Sequence, residues 1–245
     1  MARKTYTGLP LRTVFFALNV GERRLFDPVP EKAALGKDAL RGTAQPFGVA
    51  YQVARLHTDI LAMLADILQP IPADIFQYVE SQEKQREFCA KLDVCWELDD
   101  GDTIAPLAGD WADARKLDTE YLRHGPDIWF LTTGDSVKIH WCTEGEEAQG
   151  VKIWTAGNGE IEFGIERFLE EVTLFHQDLT GQMAARIELI KQNGLPAEMS
   201  IDTALLDKDH FDRLAQLDTA LGKAPVTKNW QEVGRAVARV GKINV

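Results

Sequence analysis

Apolar side chains recur every three or four residues from position 165 to position 190, and this pattern constrains the fold more than any other feature of the chain. The spacing predicts one buried face of an amphipathic helix about seven turns long. Asn193 and Gly194 predict its end, because glycine readily adopts the backbone conformation that terminates helices. A stripe of this length must be buried against another apolar surface. Its members are Ile165, Phe168, Leu169, Val172, Phe175, Leu179, Met183, Ile187 and Ile190.

The sequence just before this helix alternates like β-strands and can supply that surface. Val137, Ile139 and Trp141 fall on one face of an extended segment, with Lys138 and His140 on the other. Glycine-containing turn sequences separate the segments, which favours hairpins. We therefore predict an α+β fold, in which an antiparallel β-meander with one apolar face packs against the long helix. The predicted strands are residues 127–131, 137–141, 151–154 and 160–163.

Helical patterns are predicted at both ends of the chain. A strand at residues 13–20 is followed by helices at residues 48–68 and 73–92, which we expect to pack as an antiparallel hairpin. Short C-terminal helices are predicted around residues 211–221 and 230–237. We interpret residues 1–245 as a single domain. The alternative divides the chain near Gly101, with the strand and helical hairpin in residues 1–100 and the meander and later helices in residues 101–245.

Acidic residues are concentrated in the middle of the chain. The formal charge is −11, from 27 basic and 38 acidic side chains. Residues 59–127 carry 6 basic and 16 acidic side chains, and residues 128–200 carry 5 and 12. Nucleic acid and anionic membranes are therefore unfavourable partners, whereas a basic protein surface would be attracted.

Tryptophans lie among these carboxylates, and this combination is typical of a docking face. Clustered acids accelerate the encounter with a basic partner, and aromatic side chains supply the buried anchors of interfaces. The alternative interpretation is a solvated loop that keeps the protein soluble. The predicted partner-binding residues are Trp96, Asp99, Asp100, Asp102, Asp110, Trp111 and Asp113.

The remaining composition predicts a cytoplasmic protein without a metal or cofactor. No apolar run reaches the roughly 18 residues that span a bilayer, and the first residues lack a secretory pattern. Cys89, Cys95 and Cys142 are too few for a disulfide framework, which fits a reducing compartment. His140 and Cys142 offer at most two metal ligands on one strand face, and no other metal-ligand spacing completes a site.

Two other classes of function stay open. An enzyme could use His140 or His176 beside a carboxylate as acid and base, which requires a concave pocket around that pair. A scaffold subunit of a bacterial assembly would instead expose an apolar patch on the terminal helices and form a stable oligomer. The sequence does not determine the oligomeric state.

The segment from Asp127-Ile128-Trp129-Phe130-Leu131 to Met183-Ala184-Ala185-Arg186-Ile187 resembles bacterial immunity-type proteins of polymorphic-toxin systems. The likeness covers residues 127–190 and lies in the positions of tryptophans and apolar residues. It implies a Trp-rich meander followed by an amphipathic helix. It also implies a stoichiometric activity, in which the protein neutralises a basic toxin by binding it.

Overall fold

The computed structural model describes most of the chain from Val53 onward. The described residues are 19–20, 23–24, 53–98, 104–117, 119, 125–143, 147–148, 151–152, 154–155, 157–194, 201–227 and 229–243. Of the strand predicted at residues 13–20, only β1 (Asn19–Val20) is described, and it pairs antiparallel with β2 (Arg23–Arg24). The rest of that predicted strand lies outside the described residues.

A four-stranded antiparallel sheet forms the centre of the described structure. Its spatial order is β3 (Lys116–Leu117), β4 (Asp127–Thr133), β5 (Ser136–Cys142) and β8 (Gly159–Gly164). Within the β4–β5 hairpin, Phe130 pairs with Ile139 and Trp129 pairs with His140. These two pairs point to opposite faces, because successive side chains of a strand alternate.

The first face of the sheet is covered by α1 (Val53–Ile67) and α5 (Ile165–Asn193). Leu64 from α1 and Phe168 from α5 join the core cluster that contains Phe130 and Ile139. The rings of Phe130 and Phe168 lie 5.9 Å apart between centroids. The predicted long helix is therefore confirmed, with its first turns lying across the sheet and with Gly194 at its end.

The second face of the sheet is covered by three other helices: α3 (Gln82–Leu98), α4 (Ile104–Asp113) and α8 (Trp230–Val240). They enclose a second core cluster that contains Trp129 and Leu131 from β4. The expectation of a sheet with one apolar face was wrong, because the uninterrupted apolar run of β4 presents large side chains to both sides. The α+β class is confirmed, as helical layers on both faces of an antiparallel sheet.

The expected N-terminal helical hairpin does not form. Helix α1 coincides with the described part of the first prediction, but residues 73–92 divide into α2 (Ala73–Phe76) and α3. The hydroxyl of Ser81 accepts a hydrogen bond from the Lys84 amide at 3.3 Å and caps the new helix. The apolar residues of α1 face the first cluster, whereas Phe88 of α3 faces the second, so the sheet lies between the two helices.

The predicted meander is partly wrong at its third strand. Strand β8 pairs directly with β5, with Ile161 opposite Ile139. The segment expected between them contributes β7 (Val151–Lys152), which pairs with β6 (Glu147–Ala148) in a separate two-stranded ribbon. Trp154 is buried in the first cluster.

The C-terminal helices are confirmed with one additional break. Residues 203–221 form α6 (Thr203–Leu214) and α7 (Gln216–Leu221), and α8 follows. Asp202 begins α6 by accepting hydrogen bonds from the Ala204 and Leu205 amides, at 2.9 and 3.1 Å. Helix α7 packs on α1 and helix α8 packs on α4. The single-domain interpretation stays a prediction.

Candidate protein-binding face

Helices α3 and α4 pack together where α4 has a glycine, and Trp96 of α3 lies over that position. A Cβ atom at Gly109 would lie 3.7 Å from Cζ2 of Trp96 and 3.6 Å from Cδ2 of Leu92. The indole ring is held against the α4 backbone on one side, while half of the side chain (50%) stays exposed. Trp96 is thus partly fixed and partly available for contact.

Carboxylates lie on the same two helices as this tryptophan and Gly109. Asp93 and Glu97 lie one turn from each other on α3, and Asp110 and Asp113 follow Gly109 by one and four residues on α4. All four side chains are exposed. We call this set, with Trp96, the α3–α4 face. Sequence reasoning missed Asp93 and Glu97, although their spacing from Trp96 on a helix could have revealed them.

Two of these acids, Asp93 and Asp113, act electrostatically on the thiol of Cys89. The pKa of the Cys89 thiol is raised to about 11, mainly by burial. Lys116 opposes this shift, and the charges of Asp127, Asp93 and Asp113 contribute to it. Carboxylates from two helices and one strand therefore act on one point of the structure. The thiol stays protonated near neutral pH, so Cys89 is a poor nucleophile.

The positive charge beside this face is already neutralised. The ammonium of Lys116 lies 2.7 Å from Oδ1 of Asp127. Burial alone would lower the pKa of Lys116, but its hydrogen bond and ion pair with Asp127 outweigh burial and raise that pKa. Desolvation raises the pKa of Asp113, and Asp110 contributes in the same direction, against the opposing charge of Lys116. A cationic side chain docking here would relieve the repulsion between these two aspartates.

The predicted partner-binding residues do not all belong to this face. Trp96, Asp110 and Asp113 lie on it. Trp111 is 1% exposed and packs in the second core cluster, so its predicted role as a surface anchor is corrected to a core role. It occupies the inward position of the amphipathic helix α4, which faces Phe88 and Trp230. The remaining three residues, Asp99, Asp100 and Asp102, lie outside the described residues.

The two histidines considered for catalysis are both buried. Nε2 of His140 lies 3.3 Å from Oε2 of Glu160 without the alignment of a hydrogen bond, and Nδ1 lies 3.1 Å from Oε1 of Gln85. Burial lowers the pKa of His140 to about 4, with Glu160 opposing and Lys138 assisting, so the ring is neutral near pH 7. His176 pairs with another histidine, His57, across the α1–α5 contact.

A shallow cavity of about 350 Å³ lies elsewhere, between α4 and α8. It is lined by Ile104, Leu107, Glu232, Arg235, Ala236 and Arg239, and neither histidine lines it. Within the described ranges, no three histidine, cysteine, aspartate or glutamate side chains are grouped to hold a metal ion. None of the helices in those ranges combines the length and apolar character that crossing a bilayer requires.

The fold and this site define an α+β protein with an acidic, tryptophan-bearing helical face. The chain belongs to a family of unknown function, DUF5984, whose sequence profile matches residues 11–236. That range includes the whole sheet and most of the helices on both of its faces. Comparison with curated proteins and with solved structures found no match.

Proposed function

We propose that this chain is a protein-binding module that docks a basic partner on the α3–α4 face. One observation carries the proposal: Trp96 is half exposed and packs against Gly109, on two helices that both carry exposed carboxylates. A rigidly seated aromatic side chain provides contact area at little entropic cost, and the acids on the two helices provide attraction and orientation. In its finer form, which rests on the sequence resemblance, the partner is a bacterial toxin domain that is neutralised stoichiometrically in the cytoplasm.

The contribution of charge to binding at the α3–α4 face is tested by neutralising three of its carboxylates. A control variant loses three carboxylates elsewhere on the surface. The variant Asp93→Asn, Asp110→Asn, Asp113→Asn removes three charges from the face, and Asp135→Asn, Glu166→Gln, Asp212→Asn removes three exposed charges elsewhere. Each protein is used to capture partners from a bacterial lysate, followed by elution with salt. We expect the wild type and the control to retain a basic protein that the face variant loses, because surface charges act over about 10 Å at moderate ionic strength.

The tryptophan is tested separately with that captured protein. Trp96→Ala should weaken binding by at least 2 kcal/mol, the loss typical of a central aromatic anchor, while leaving the unfolding midpoint nearly unchanged because the side chain is half exposed. Identical captured proteins from the face variant and the control would contradict a role for this face.

A second candidate function is that of a subunit in a bacterial assembly. Helix α6 exposes Phe211 by 71% and Leu214 by 47%, on positions three residues apart. Light scattering of the wild type and of Phe211→Ser distinguishes this candidate. A stable oligomer that dissociates in the variant would favour it, and a monomer at all concentrations would exclude self-assembly through this patch.

A further inference from the structure

A buried histidine pair joins α1 to α5 on the first face of the sheet. His57 is 1% exposed, and its Nε2 lies 2.9 Å from Nδ1 of His176. The two rings are stacked, with centroids 5.1 Å apart. One ring nitrogen donates to the other in this contact, which leaves Nδ1 of His57 buried and without a hydrogen-bond partner in the described structure.

Helix α6 brings two more basic side chains to this region. Leu206, His210 and Arg213 are the three positions of α6 that are not exposed, and they mark the side that packs on α5. Burial lowers the pKa of the His57 imidazole most, followed by His176 and then by the charge of Arg213. Arg213 is therefore close enough to His57 to act on it electrostatically. Helix α7, which follows immediately, packs on the α1 helix that carries His57.

Several polar atoms here are buried without a partner in the part of the chain that the structure describes. They are Nδ1 of His57, Nδ1 of His210, Nε and Nη1 of Arg213, and Oε1 of Gln216. Buried polar groups in folded proteins are nearly always hydrogen-bonded, so such a group of orphans indicates a missing partner such as a ligand or ordered water. In the described ranges, no carboxylate forms an ion pair with Arg213, and a guanidinium cannot lose its charge near neutral pH.

The geometry points to a binding site for a small phosphate-type oxyanion between α1, α5 and α6, held by Arg213, His210 and His57. An oxyanion supplies the missing negative charge. Its oxygens accept from Arg213 and His210, and from Nδ1 of His57 in the tautomer in which Nδ1 of His176 donates to Nε2 of His57. A hydrogen phosphate also carries an O–H group, which can donate to Oε1 of Gln216. Sulfate has the same shape but no such donor near neutral pH. The same chemistry would suit free phosphate or the phosphoryl group of a small metabolite.

The site is tested on the full chain with inorganic phosphate, titrated calorimetrically against a chloride background. We expect saturable binding that raises the thermal midpoint, since a ligand that binds only the folded state stabilises it. Arg213→Gln should weaken binding roughly tenfold or more, because it removes a charged hydrogen-bond donor. Arg186→Gln on the exposed surface of α5 is the matched control and should bind like the wild type.

Two further measurements distinguish loss of phosphate binding from loss of folding, and specific phosphate binding from general anion binding. Arg213→Lys retains the charge but loses Nε, so it should fold like the wild type and still bind phosphate more weakly. Sulfate should bind more weakly than phosphate to the wild type, because it has no O–H group that could donate a hydrogen bond to Oε1 of Gln216. Failure of the wild type to bind phosphate at tens of millimolar would overturn the assignment, as would equal binding by the Arg213 variants and the Arg186 control.

Discussion

Arg115 is the residue that ties the two core clusters to the C-terminal segment. Its side chain is fully buried, and its guanidinium lies 5.8 Å from the ring centre of Trp111 and 5.2 Å from that of Trp230. Nη1 donates to the carbonyl of Trp111 at 2.8 Å, and Nη2 donates to Gln69. Asp66, at 4.0 Å, is its counter-charge. Burial lowers the pKa of Arg115 to about 10, with Asp66 opposing, so the group stays charged.

Removing that counter-charge should be costly. Asp66→Ala leaves a buried cation uncompensated and also deprives the Val226 and Thr227 amides of their acceptor. We expect a loss of about 3–5 kcal/mol in the free energy of unfolding, measured in urea. Glu188→Ala, which breaks an exposed pair with Lys191, is the control and should cost less than about 1 kcal/mol. Similar losses in both variants would show that Arg115 does not depend on Asp66.

Two buried histidines should make the protein less stable in acid. Burial lowers the pKa of His57 and of His140 to about 4, from an ordinary value of 6.5. The unfolded chain therefore takes up protons first, and stability present above pH 6.5 is lost as the pH falls toward 4. The loss is on the order of 3 kcal/mol per histidine. His140→Gln should flatten this pH dependence in urea titrations, and an unchanged slope would contradict the role of His140.

At the scale of elements, periodicity along the sequence located helices better than it located strand pairings. The stripe from Ile165 to Ile190 and the stop at Gly194 predicted α5 correctly, because both signals are local. The pairing of β8 with β5 could not be read from the sequence, because residues 151–154 also have a strand-like pattern, whereas Trp154 is buried in the first cluster. The break before α3 was missed because a serine cap within an apolar pattern is a weak signal.

Replacing glycine by alanine should destabilise the protein at the end of α5 and stabilise it in the middle of α5. Gly194 has φ of 69° and ψ of −175°, a conformation that essentially only glycine adopts, so Gly194→Ala should cost about 1–3 kcal/mol. Gly181 lies in the helix interior, where a Cβ would meet nothing within 4 Å. Gly181→Ala should therefore stabilise the protein by about 0.5–1 kcal/mol. Chemical denaturation of the two variants checks the opposite signs, and destabilisation by both would contradict this account of α5.

At the scale of the whole molecule, the sequence located only some members of the candidate face, and the role of that face in binding stays a prediction. Trp96, Asp110 and Asp113 are exposed on the α3–α4 face, and Trp96 packs against Gly109. Trp111 was misplaced because the inward side of α4 becomes evident only once α8 is known to pack on it. The cluster of His57 and Arg213 left no sequence signal, since its members are more than 150 residues apart.

The two core clusters share strand β4, and this arrangement predicts one cooperative unfolding transition. Side chains of β4 alternate between the clusters, so neither helical layer can leave without exposing apolar surface of the strand that supports the other. Leu64→Ala in the first cluster and Val237→Ala in the second, both fully buried, should each lower a single midpoint. Circular dichroism and tryptophan fluorescence should report the same midpoint in each variant. Two separate transitions, each shifted by one substitution, would instead show that the two helical layers unfold independently.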